Sequence, residues 1–169
     1  MSAPACRLLF ALVMLIGWRS AFAADAKDIC GERTARSGTA FTMTVSRSFE
    51  PEVIFKLCDR EDKSKRFLLI STQSSIHLDN WTSNSVPLGS LEYAKVASLY
   101  EKALDYDVRI NVGGNDGSTW CLETQRGFTY SKACFWTPTD EPKARRLTGL
   151  LELGRELWRI AQLDPSKLH

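Results

Sequence analysis

The stretch Ser118–Trp136 constrains this chain more than any other. Turn chemistry, alternation, charge and cysteine placement there agree on one β-hairpin. Gly127-Phe128 suits a two-residue type II′ loop, because glycine takes the positive φ of the first central position at no steric cost. Arg126 then faces Thr129, Glu123 faces Lys132, Cys121 faces Cys134 and Thr119 faces Trp136. On the other face Trp120 meets Phe135 and Leu122 meets Ala133. One face is apolar, and the other carries an ion pair and two cysteines. A one-residue slip would mix the two faces, so burial of one of them selects the register. The competing loop, Arg126-Gly127, sets Cys121 against Lys132.

The N-terminus lies outside the predicted fold. Arg7, the apolar run Leu8–Gly17 and the A-x-A sequence Ala21-Phe22-Ala23 have the form of a secretory signal peptide, residues 1–23. The apolar run falls short of the roughly 20 residues that span a bilayer. Cys6 precedes it and is badly placed for a lipid anchor. The expectation is a periplasmic or secreted protein with no membrane anchor after cleavage, built as a single α+β domain over residues 24–169. Cleavage removes Arg7 and Arg19 and no acid, which leaves 20 basic residues against 20 acidic. A formally neutral chain gives no reason to expect nucleic acid as a partner.

Four cysteines remain: Cys30, Cys58, Cys121 and Cys134. An even number in an exported chain reads as two disulfides, of which four cysteines allow three connectivities. The hairpin register favours Cys121–Cys134 and leaves Cys30–Cys58 by elimination. A structural zinc site is the rival. No spacing is C-x-x-C and both histidines lie far from the cysteines, so no metal and no cofactor is expected.

Along the rest of the chain, residues 24–40 read as a polar lead-in. Phe41, Met43 and Val45 alternate with polar residues as in a half-buried strand. Pro51 is expected to interrupt before a second strand over Val53–Cys58. The mixed-charge run Asp59–Arg66 reads as a solvated hairpin connection to a strand over Phe67–Ser71, and Ser75–Trp81 as a further strand. Pro87 closes a polar loop, after which Ser90 is the expected N-cap of a helix from Leu91 to about Asp105. Val108, Ile110 and Val112 alternate as a strand, and Gly113–Gly117 reads as a tight turn, since it has no Gly-Lys-Ser/Thr of a phosphate loop. Beyond Pro138, Thr139 or Asp140 is the expected cap of a last helix with Pro142 in its first turn. Its stripe of Leu147, Leu150, Leu151, Leu157 and Trp158 covers the apolar face of the hairpin. The sum is an α+β fold: an antiparallel sheet of about five to seven strands with two main helices, stabilised by disulfides.

Hydrolytic chemistry needs a nucleophile, a base and a group to orient the base. His77 is the one base of the usual kind, since His169 ends the chain. On a strand, Ser75, His77 and Asp79 would share a face about 6.5 to 7 Å apart, beyond hydrogen-bond reach. A small envelope-acting hydrolase using these three is the alternative reading. The preferred one is a non-catalytic binder of a protein in the cell envelope, such as an inhibitor or immunity-type protein that neutralises an envelope-targeting enzyme. Tryptophan, tyrosine and arginine dominate interface hot spots. Trp81 in a polar context and Trp136 on the polar face of the hairpin are therefore the candidate contacts, with Asn115 and Asp116 on the adjoining turn.

Asp116-Gly117-Ser118-x-Trp120-x-Leu122-Glu123, followed by Tyr130, Trp136-x-Pro138 and a Leu/Gly-rich C-terminal helix, resembles a group of small exported bacterial proteins of uncharacterised function. The likeness covers about the last third of the chain. It implies a bacterial periplasmic or secreted setting, and carries no activity and no catalytic residues with it.

Overall fold

The organising hairpin forms in the expected register. Strands β5 (Ser118–Arg126) and β6 (Thr129–Trp136) pair Thr119 with Trp136, Cys121 with Cys134, Glu123 with Lys132 and Arg126 with Thr129. Cys121 and Cys134 are disulfide-bonded, and Lys132 Nζ lies 2.7 Å from a Glu123 carboxylate oxygen. The structure is a computed structural model that describes residues 38–59, 66–76, 78–107, 113–126 and 129–168. The expected signal peptide, Cys30, His77, the strand expected at Val108–Val112 and the Gly127-Phe128 loop lie outside the described residues. Cys58 is disulfide-bonded, and the Cys30 expected as its partner is among those not described.

Four more strands complete an antiparallel sheet: β1 (Gly38–Arg47), β2 (Glu50–Asp59), β3 (Phe67–Ser75) and β4 (Leu78–Pro87). Their order is β4-β3-β2-β1-β5-β6, so the hairpin docks on the first strand of the meander. Two helices, α1 (Ser90–Ala103) and α2 (Thr148–Ile160), cover one face of the sheet. Under them lie Phe41, Met43, Val45, Phe55, Leu57, Leu68, Trp120 and Phe135, all nearly or wholly buried. Tyr100 of α1 stacks on Phe41 at 4.8 Å between ring centroids. Gly154 lets α2 approach closely, since a Cβ there would lie 2.2 Å from Trp120 Cζ3. No helix among the described residues is long and apolar enough to cross a membrane.

Four expectations are corrected. Pro51 does not interrupt the chain before β2: it lies inside that strand, between Val45↔Val53 and Arg47↔Glu50, where the register shifts. Such a bulge needs no ladder donor from proline, which is why it is tolerated there. Ser75–Trp81 is not one strand, because Ser75 pairs with Leu78 across a reversal and Trp81 pairs back to Gln73. The polar run that follows is no loop but the edge strand β4, stabilised by a ladder along β3. Finally, the helix caps differ. Gly89, not Ser90, precedes α1, with Tyr93 N donating to Gly89 O at 2.9 Å. The last helix begins at Thr148, well after Thr139 and Asp140. Thr137 (φ 38°), Glu141 (φ 44°) and Arg146 (φ 54°) all adopt left-handed backbone, which a right-handed helix cannot accommodate.

Candidate functional site

The irregular segment from Thr137 to Leu147 is held by a buried arginine. Arg145, 4% exposed, donates from Nη2 to Trp136 O (2.6 Å) and from Nη1 to Thr137 O (2.8 Å) and Asp140 O (3.1 Å). Trp136 ends β6, and Thr137 O also accepts from Asp140 N at 3.0 Å, so the guanidinium ties the end of the strand to the turn that follows it. Thr137 N reaches back to Ser118 O at 2.5 Å. The left-handed residues are therefore kept in place by the end of the hairpin on one side and by Arg145 on the other.

A second strap forms at the C-terminus. Asp164 Oδ1 accepts from Ser166 N (3.0 Å) and Ser166 Oγ (2.8 Å), and so caps a 3₁₀ turn, Pro165–Lys167. Those bonds hold its carboxyl below the usual carboxylate range. Trp158 Nε1 donates to Asp164 O at 2.9 Å. Arg47 lies over the Trp158 ring, 5.4 Å from its centroid, and donates to Lys167 O (2.9 Å) and Pro51 O (2.7 Å). Lys167 pairs with Glu50 at 3.1 Å. The tail is thereby stapled across the β1–β2 turn.

Between the two straps and the outer face of α2 lies a cleft of about 590 Å³. The buried Trp158 and Leu168 back it together with the half-buried Leu163, Arg155 and Arg159 stand along α2, and Thr139 and Asp140 form the opposite wall. Its volume falls in the usual range for ligand sites, about 300–1,000 Å³, and its apolar floor with few polar groups is typical of them. Strained non-glycine backbone tends to collect at such sites.

The two arginines differ. Arg159 Nη2 contacts Glu156 at 2.7 Å and Glu92 at 3.3 Å, and Lys95 Nζ contacts Glu156 at 2.7 Å. Glu156 is almost buried, its side chain 7% exposed, and the hydrogen bond from Arg159 leads in holding its carboxyl below the usual range against the cost of burial. The same carboxylate raises the guanidinium of Arg159. This network ties α1 to α2 and is structural. Arg155, exposed on the helix, makes no ion pair or hydrogen bond with another described residue. Among the described residues it is the cation of the cleft that has no such partner.

The residues selected from sequence do not converge. Trp81 is 40% exposed on β4, and Trp136 stands on β6, at the opposite edge of the described sheet. Five strand spacings put them roughly 24 Å apart. Trp136 is half-buried against the glycine turn: a Cβ on Gly114 would fall 2.1 Å from its Cζ2, and one on Gly117 3.2 Å away. That turn explains both glycines, with Gly117 at φ 135°. Asn115 and Asp116 are exposed on it. The premise that placed Ser75, His77 and Asp79 on one strand face is gone, since Ser75 is on β3 and Asp79 on β4, with His77 outside the described residues. Among the described residues no three His, Cys, Asp or Glu side chains gather as metal ligands would.

Sequence reading missed Arg145 and the C-terminal strap. The strap had a signal in Asp164-Pro165, an N-cap followed by proline at the first helical position. Arg145 had none, because a buried arginine that serves carbonyls and an exposed helical arginine look alike in one sequence. No protein-family model matches this chain, and no curated protein matches it as a relative.

Proposed function

We propose that this is a non-catalytic binding protein of the bacterial cell envelope, which seats an acidic, apolar-anchored segment of a protein partner in the Trp158 cleft. The observation that carries the reading is the makeup of that cleft. An apolar floor of Leu163 backed by the buried Trp158 is bordered by Arg155, a cation with no counter-ion among the described residues. Tryptophan and arginine over a desolvated pocket are the composition of an interface hot spot, and an unpaired guanidinium favours a carboxylate through a two-pronged bond. A partner whose own function depends on exposed carboxylates, as most wall-cleaving glycosidases do, fits this chemistry. An inhibitor or immunity-type role against such an enzyme follows. The signal-like N-terminus and the Cys121–Cys134 bridge support an oxidising compartment.

The test is affinity capture from an envelope extract with the wild type, Arg155→Glu, and His77→Ala. The expected result is one stoichiometric partner retained by wild type and His77→Ala and lost by Arg155→Glu. Retention by Arg155→Glu would remove the cleft from the reading. Loss of a measured hydrolytic activity in His77→Ala would replace the reading with the hydrolase alternative.

A further inference from the structure

The two edges of the described sheet are finished differently. On β6, Lys132 sits mid-strand with its side chain 47% exposed, a usual guard against unwanted strand pairing. On β4 the charged residue is Asp79, beside the reversal; none occurs from Asn80 to Pro87, and every residue from Asn80 to Ser85 is exposed. The pairing from Trp81 to Pro87 runs without a bulge, and no described strand lies beyond it.

The phase of the ladder shows what this edge offers. Leu88 N donates to Arg66 O at 3.0 Å, and the pairs Leu68↔Val86, Ile70↔Asn84 and Thr72↔Thr82 continue from it. In an antiparallel ladder alternate residues exchange bonds with the neighbour. Thr82, Asn84 and Val86 therefore face β3, while Trp81, Ser83 and Ser85 turn their N–H and C=O groups outward. Pro87 has no N–H and ends the row of donors.

This set is symmetric about Ser83. We propose that β4 pairs antiparallel with β4 of a second copy of this chain about a two-fold axis at Ser83, joining two six-stranded sheets into one. Ser83 would face its own counterpart, and Trp81 would face Ser85 of the partner subunit, giving six backbone hydrogen bonds from three residues of each copy. An axis perpendicular to the sheet keeps the helices of both copies on the same side and sets residues of like parity opposite one another, as this register requires. The neutral run lets the strand meet itself without opposing like charges, and the small serine opposite Trp81 leaves room for the indole. The contact is well below the roughly 1,600 Å² of a standard interface, so a dissociation constant in the micromolar range or weaker is expected.

Sedimentation equilibrium on the purified, oxidised protein, from about 5 to 500 µM, tests this range. Wild type should pass from monomer to dimer. Ser85→Pro removes an outward donor without touching the β3 ladder, and Ser83→Lys sets two ammonium groups face to face. Each should weaken association at least tenfold while far-UV circular dichroism is unchanged. Hydrogen exchange on the wild type supplies a readout independent of variants: the amides of Trp81, Ser83 and Ser85 should gain protection as concentration rises. A wild type that stays monomeric throughout, a dimer equally strong in both variants, or exchange at those amides that ignores concentration would overturn the proposal.

Discussion

The hairpins β3–β4 and β5–β6 are built of strands of similar length and join the same sheet, yet they do different work. In β5–β6 the apolar face, Trp120, Leu122 and Phe135, lies under α2 and is all but fully buried. The other face holds the disulfide and the Glu123–Lys132 pair. In β3–β4 the second strand is polar on both faces and exposed over Asn80–Ser85. One hairpin is fixed by what it buries. The other buries Leu68, Leu69 and Ile70 of β3 and leaves β4, paired along it, exposed. A tryptophan in each makes the contrast measurable.

The largest expected effect comes from that pair of residues. Trp120→Ala removes a fully buried indole from beneath Gly154 and should cost about 3–5 kcal/mol in denaturant unfolding. Trp81→Ala, measured in dilute solution, should stay within about 0.5 kcal/mol. Equal losses would erase the distinction between the hairpins.

The disulfide comes next. It closes a loop with a sequence separation of 13, for which the chain-entropy argument gives about 3 kcal/mol. The double variant Cys121→Ser/Cys134→Ser should lose up to that amount with its fold retained, as read by urea titration and circular dichroism.

A smaller effect is expected between the helices. The carboxyl of Glu156 is held below its unfolded value, chiefly by the hydrogen bond from Arg159. The contribution is thus present above the ordinary glutamate pKa, about 4.3, and is lost as pH falls through the lower folded value. Glu156→Gln should cost about 1–2 kcal/mol at pH 7 and flatten this part of the acid limb. An acid limb identical to wild type would show that the network adds nothing.

How much of this was legible follows from burial. Strand β1 and the β5–β6 register could be read because one face of each is apolar and the other polar, which leaves one consistent pairing. The α2 stripe could be read for the same reason, although its start could not: Thr137, Glu141 and Arg146 take left-handed backbone under tertiary constraint, and nothing in their side chains announces it. Strand β4 was misread because polar residues on both faces carry no alternation. The cleft was only partly visible. Trp158 and Arg155 are placed on the helix by periodicity, but the walls come from the Arg145-held segment and the Asp164-capped tail, both set by long-range contacts. Trp136 stood out by composition and proved to pack on Gly114 and Gly117.

In the proposed mode of binding, the β5–β6 hairpin is architecture and the cleft beside α2 receives the partner. Hydrogen exchange of the protein alone and in complex with its captured envelope partner addresses it directly. New protection is expected over residues 139–140 and 155–168, with the amides of β5 and β6 unchanged. Protection confined to the Gly113–Gly117 turn and the hairpin rim, with the cleft unaffected, would contradict it.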